Sequence, residues 1–333
     1  MKSLKEFSKN LKTAPSDCTG IDVGSTVIKV VRLKATGSEI TVIGAALVKP
    51  ETNGSITIPL NLRARYASIA TSCRGAIVKL LKFPGAIESS FESSLPQKIG
   101  INSDQNYRIS YTALVEGNSR SDSSVLIGAL PEEDAKSVMH NFSSGIPAPY
   151  SLELSTLAVL TAFEHGPVAN NSGDTTGLID FGTTETFLSI FHNKKLVLLR
   201  KFDFGTNIVM ERLKSTLHVT TEVAHGMIDD SSFDLSDMLA EHMSSVAGDL
   251  ILSRDFIERQ DNCKINMLYA IGGVALSTSA MQSLEKFMNI DITPWNPFDG
   301  LKVAPHIFEN EMKGQRWRFA GALGAALATL EKK

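Results

Sequence analysis

The sequence predicts an α/β protein built from two related domains, each opening on the same kind of β-hairpin. Three observations point there. "GIDVGSTVIKVVRLK", residues 20–34, is an apolar strand that runs into Asp22, turns through Gly24, Ser25 and Thr26, and leaves as a second strand past Lys29. "GLIDFGTTETFLSIF", residues 177–191, repeats the pattern with Asp180, Gly182, Thr183 and Thr184 in the same places. "LYAIGGVAL", residues 268–276, is a buried-type strand ending in Gly272-Gly273 before a helical stretch.

Composition sets the class. At 333 residues the chain has room for two domains, and 43% hydrophobic with 21% charged residues describes a globular protein with a full core. A net charge of −3 supplies no basic excess to neutralise phosphates, so nucleic acid is not an expected partner. Cys18, Cys73 and Cys263 are scattered without metal spacing, which reads as reduced and cytoplasmic. No apolar run reaches the roughly 18 residues that span a bilayer. "MKSLKEFSKNLK" lacks the apolar centre of a signal peptide. It reads as a solvated tail or as a short amphipathic helix making weak contact with an anionic membrane.

Strands are expected near 18–23, 27–34, 39–48 and 75–83 from runs of β-branched and apolar residues. A helix is expected after Pro84, with Ile87, Phe91 and Leu95 at spacing four. "YRISYTALVEG" and "SSVLIGAL" read as strands, and "PEEDAKSVMHNF" as a helix with acids in its first turn. Residues 76–147 therefore form a β-α-β-β-α packet. "SLELSTLAVLTAFEHG" reads as a strand end and a helix closed by Gly166, and "PVANNSGDTT" as the loop between halves. Strands at 177–181, 184–192 and 195–202 follow, then helices at 205–217, 220–228 and 234–260. "QRWRFAGALGAALATL" is a last helix whose small residues suit close packing.

The repeated turn has a chemical use. Glycine lets the backbone approach a phosphate, turn amides and hydroxyls donate to its oxygens, and an Asp can hold Mg²⁺ through water. One such turn is common in β proteins, but two, each opening half of the chain, point to paired domains facing a nucleotide. The Gly272-Gly273 turn could carry a flat ring, or could need glycine for geometry alone. Glu153, on the connection between halves, could position an attacking water or cap the helix that starts at Ser155. His225 fits a packing role better than a ligand role, and Trp295 and Trp317 read as structural anchors.

The order of these motifs resembles the actin-like ATPase superfamily, with phosphate-1, phosphate-2 and adenosine motifs in turn. Within it, the chain resembles the PilM family of type IV pilus assembly proteins, relatives of FtsA. The likeness is carried by "GIDVGSTVIKVVRL", "VKLLKFPG", "GLIDFGTTETFLSIFHNKKLVLLRKFDFG" and "FAGALGAAL". It implies an actin-like (ribonuclease H-like) two-domain fold with a small inserted α+β subdomain in the first domain. The first domain would take 17–75, 148–165 and 315–333, the insert 76–147, and the second domain 166–314.

The resemblance also implies ATP and Mg²⁺ as cofactors. Asp22, Gly24, Ser25, Thr26, Lys29, Gly182, Thr183, Thr184, Gly205, Gly272 and Gly273 would bind nucleotide, and Asp22 and Asp180 would bind metal. Asp180 and Glu153 would serve any slow hydrolysis. The implied role is a cytoplasmic scaffold at the inner face of the inner membrane. It would dock the cytoplasmic tail of a single-span, PilN-like partner, with self-association left open.

The sequence departs from the family at three places. Val274 replaces a small residue, His225 and Ile228 replace a Glu and a Lys that reach the nucleoside, and "IGINSD" stands for an Ile-Pro-Phe stretch. A small-molecule kinase of the same superfamily is a second reading, which the packet at 76–147 argues against. An FtsA-like division protein is a third, and would carry an amphipathic helix where this chain ends in "LATLEKK".

Overall fold

The computed structural model describes residues 14–24, 27–51, 55–142, 145–170, 175–229, 236–309 and 312–331. The amphipathic stretch expected at the N-terminus lies outside them. So do Ser25 and Thr26, and the side chains of His225 and Ile228.

The chain divides into two compact units. The first holds the described residues up to Gly166 and those from Pro297 onward, and the second holds Pro167–Asn296. In the first, β1 (Asp17–Val23), β2 (Ile28–Thr36) and β3 (Glu39–Val48) form an antiparallel meander. β4 (Tyr66–Thr71) then pairs parallel to β1. The packet follows β4 in the chain: β5 (Ile77–Pro84), α1 (Phe91–Ile99), β6 (Tyr107–Val115), β7 (Asp122–Pro131) and α2 (Glu132–His140). β8 (Ala148–Leu154) returns to pair parallel with β4 and leads into α3 (Ser155–Phe163).

The second unit repeats this wiring. β9 (Thr175–Phe181), β10 (Thr186–His192) and β11 (Lys195–Phe202) form the meander. Helices α4 (Thr206–Leu217), α5 (Thr221–Asp229) and α6 (Ser236–Gln260) precede β12 (Ile265–Gly272), which runs parallel to β9. Then come α7 (Thr278–Met288) and β13 (Ile292–Pro294), parallel to β12. After it the chain rejoins the first unit through β14 (Lys302–Val303) and closes with α8 (Ala320–Leu330).

The sheets have the orders β14-β3-β2-β1-β4-β8 and β11-β10-β9-β12-β13. Each is an antiparallel meander continued by parallel strands on the side of its first strand. That is the ribonuclease H-like topology, and a chain that carries it twice has the actin-like fold.

Two differences from the sequence reading are instructive. Tyr66–Thr71, "YASIAT", is a strand that its own sequence does not signal, because Ala and Ser are poor strand formers in isolation. Flanked by β1 and β8, five of its six residues are buried, so tertiary pairing outweighs propensity. The second unit also ends at Asn296, before the expected 314. Lys302 and Val303 pair with Thr41 and Val42 on the first sheet, and Phe298, Phe308 and Phe319 cluster in the first unit with their rings tilted or edge-on.

Packing explains the small-residue helix. A side chain at Gly20 of β1 would overlap the carbonyl oxygen of Ala322, and one at Gly324 would overlap the carbonyl oxygen of Ala158. Thus α8 lies in near-backbone contact with both β1 and α3, and Ala70, Ala158 and Ala325 fill the space between. On the opposite face of that sheet Ile21, Ile28 and Val30 pack with Ile56, Ile58 and Leu62 of the segment that precedes β4. In the second unit Ile179, Phe181, Leu188 and Ile190 pack against Val209, Met210, Val246, Leu250 and Leu284 of the helices. The packet has its own antiparallel sheet, β5-β7-β6, with Phe91, Leu95 and Ile99 of α1 laid on Val125, Ile127 and Ala129. Leu130 and Ala135 join it to Leu152, Leu154 and Leu157.

Candidate functional site

In the first unit the site is built around the C-terminal end of β1. Asp22 faces Lys29 across the hairpin, and Lys29 Nζ lies 3.2 Å from Asp22 Oδ2. Ser155, the first residue of α3, donates its hydroxyl to Asp22 Oδ1 at 2.6 Å. Gly321 of α8 packs on the same carboxylate, where a Cβ would lie 3.0 Å from Cγ. Asp22 is only 8% exposed, so its charge is stabilised by these neighbours and not by bulk water. A Cβ on Gly24 would sit 2.6 Å from Lys29 Nζ and 2.8 Å from Val27 O, so the turn must be bare there. Glu153 lies in the same row of the sheet, Asp22 pairing with Ala70 and Ala70 with Glu153. In-register neighbours point to the same face, which places both carboxylates on the side covered by α3 and α8.

In the second unit the candidate residues gather at the C-terminal ends of β9 and β12. The Gly182 amide donates to Asp180 O at 3.2 Å and Glu185 O at 3.0 Å, closing the turn. Thr183 and Thr184 are exposed at its tip. The turn is seated on the N-terminus of α4. Thr206 N donates to Gly182 O at 3.0 Å, Asn207 N donates to Thr183 O at 2.9 Å, and Thr206 Oγ1 reaches Gly182 O at 3.2 Å. Gly205 makes this contact sterically feasible, since a Cβ there would lie 2.5 Å from Thr183 O.

The Gly272-Gly273 turn abuts the same structure. Gly272 has φ 101°, and a side chain would overlap Phe181 O, so geometry alone requires glycine there. A Cβ on Gly273 would lie 3.1 Å from Thr206 Oγ1. Val274 points inward and is 1% exposed, so this departure from the family is taken up by the core.

Sequence reasoning missed Ser155, Thr206 and Gly321 as contributors. Their only sequence signals were position, one at the start of a helix after a strand, one after a glycine, and one in a small-residue run. Trp295 anchors as expected, buried with its amide on Ala270 O at 2.8 Å.

The family model for type IV pilus assembly protein PilM matches residues 120–330. The chain belongs to this family. Among solved structures, the PilM-PilN type IV pilus biogenesis complex is similar at 18% identity, with a TM-score of 0.75, covering 94% of this chain and 98% of that one. The ethanolamine utilization protein EutJ from Carboxydothermus hydrogenoformans is similar at 12% identity and a TM-score of 0.46, over 98% and 99% of the two chains. A Bacteroides thetaiotaomicron protein with an actin-like ATPase fold follows at 10% identity and a TM-score of 0.47, over 88% and 94%. No curated protein matches. The PilM-family assignment agrees with the duplicated topology and makes the chain a type IV pilus assembly protein with an actin-like fold. Among the described residues no helix is long and apolar enough to cross a membrane.

The residues present fit the Mg²⁺–ATP that the family resemblance implies. The first turn offers a bare glycine, an ammonium and a buried carboxylate, and the second offers two exposed hydroxyls. Among the described residues no group of three or more His, Cys, Asp or Glu could hold a metal unaided. That is the ordinary condition of Mg²⁺, which is held by one or two carboxylates together with substrate phosphates and water. The amides of Thr206 and Asn207 hold the second turn and are not available to a phosphate.

Proposed function

We propose that this PilM-family chain is a cytoplasmic scaffold, peripheral to the inner face of the inner membrane, that docks the cytoplasmic tail of a single-span, PilN-like assembly protein. The PilM family match over 120–330 carries the reading. The solved PilM-PilN complex, whose PilM is alike in fold, supports the choice of partner. The tail would bind the first unit as an added strand near the packet. β5 and β6 are the outer strands of the packet and β8 is the outer strand of the main sheet, so each has one side without a strand neighbour among the described residues. Backbone bonds would supply affinity, and alternate side-chain pockets selectivity.

Nucleotide is the regulator in this reading. ATP with Mg²⁺ would be bound by Asp22, Gly24, Ser25, Thr26 and Lys29 of the first hairpin and by Asp180, Gly182, Thr183 and Thr184 of the second, with Gly205, Gly272 and Gly273 shaping the nucleoside end. The metal would supply charge neutralisation to the phosphates, with Asp22 and Asp180 as its carboxylates. Glu153 and Asp180 would orient water in any slow hydrolysis.

The test uses the full chain and a synthetic peptide copying the cytoplasmic tail of a PilN-like protein from the same organism. Calorimetry should show binding, and N-methylation of alternate tail amides should weaken it at least tenfold. No binding, or equal binding of the methylated peptide, would overturn strand addition by that partner.

A further inference from the structure

Lys29 does more in this structure than line a turn. Its Nζ is 3.2 Å from Asp22 Oδ2, and the same atom lies where a Cβ on Gly24 would come within 2.6 Å. The side chain is therefore folded back over the face of the turn that glycine leaves bare, with its ammonium on the carboxylate. Both carboxylate oxygens are engaged from within the chain, Oδ1 by Ser155 Oγ and Oδ2 by Lys29. Side-chain exposure is 19% for Lys29 and 12% for Asp22, so the pair is shielded from water.

We propose that Lys29 is a built-in substitute cation. It stands at Asp22 where a divalent metal would stand, and leaves only for a ligand that brings both a metal for Asp22 and phosphate oxygens for the ammonium. The inference rests on the reading of this hairpin as a metal–polyphosphate site. A shielded carboxylate stripped of its partner is strongly disfavoured, so the lysine holds its place until another cation replaces it. A bare divalent ion must displace the ammonium and offers it nothing in return. A metal–polyphosphate offers it a new partner of like strength. Metal and phosphate are thus accepted together, and the metal alone is refused.

The experiment uses Mn²⁺ alone as the probe, followed by electron paramagnetic resonance, on the full chain. The wild-type protein should bind no Mn²⁺ in an Asp22-dependent way. Lys29→Met should bind it at least tenfold more tightly than wild type, Lys29→Gln should do the same, and adding Asp22→Asn should abolish the gain. Wild-type binding of bare Mn²⁺ that is lost in Asp22→Asn overturns the proposal without recourse to any lysine variant. So does a folded Lys29→Met or Lys29→Gln protein with no gain. Mn²⁺–ATP on wild type then separates the two readings. Its failure to bind, beside a gain in Lys29→Met, would remove the nucleotide and keep the substitute cation. Its binding, without that gain, would do the reverse.

Discussion

Gly20 of β1 lies directly under the carbonyl oxygen of Ala322 in α8, with no room for even a methyl group between them. Gly324, two residues along the same helix, is equally close to the carbonyl of Ala158. The closing helix is thus fitted to its strand and to its neighbouring helix by backbone, and both obstructions are main-chain atoms that cannot rotate away. Gly20→Ala and Gly324→Ala should each destabilise the first unit by about 3 kcal/mol, the upper end for an overpacked core. Gly248→Ala, in open space on α6, is the control and should be neutral or slightly stabilising. Urea titration checks this, and a change under about 1 kcal/mol at Gly20 would contradict the contact.

Gly205 predicts a second effect, confined to the other unit. With Thr183 O and the carbonyl carbons of Thr183 and Thr184 within 2.6 Å of its absent Cβ, Gly205→Ala must lift the Gly182–Thr184 turn from the N-terminus of α4. The amides of Thr206 and Asn207 would then lose their acceptors. Hydrogen exchange at those two amides should accelerate at least tenfold while β1 and β4 stay protected. Unchanged protection at 206 and 207 would mean that the turn is not held by them.

Nucleotide affinity should be weak and only loosely selective. The resemblance sets His225 and Ile228 where the family has two polar nucleoside contacts, and on that reading their loss should cost on the order of 1–3 kcal/mol. That corresponds to roughly five- to 150-fold in affinity. Calorimetry should give Mg²⁺-dependent binding of ATP and GTP within a few-fold of each other, removed by Asp22→Ala. Tight adenine selectivity would contradict it.

The packet carries a pH-dependent ion pair. Arg108 donates from Nε to Glu132 Oε2 at 2.7 Å and from Nη2 to Oε1 at 3.0 Å, which holds the Glu132 carboxyl below its ordinary 4.5. A depressed carboxyl stabilises the fold above the unfolded value and ceases to as pH falls through the folded one. The pair is partly solvated, so Arg108→Met should cost only about 0.2–1 kcal/mol at pH 7. The difference from wild type should shrink below pH 4.5 and vanish in stronger acid. A difference constant down to pH 3 would assign the effect to packing of the Arg108 stem.

The sequence by itself determined the duplication. Two hairpins with Asp, Gly and Thr at matching places, alternation in the packet, and a glycine-ended strand before a helix are all local patterns, fixed by pleat, turn chemistry and side-chain period. They gave the fold class and put the candidate residues on turns. Only the tertiary structure decided what those patterns touch. β4 became a central strand because β1 and β8 flank it, against the weak propensity of Ala and Ser. Lys302 and Val303 joined the first sheet because its edge at Thr41 and Val42 was open to them. Of the groups around Asp22, Lys29 is local to the hairpin, whereas Ser155 and Gly321 come from far away in the chain. A carboxylate near the end of a strand is visible in a sequence, but the groups that hold it are set by which helices fold back over that strand, and packing rather than local propensity makes that choice.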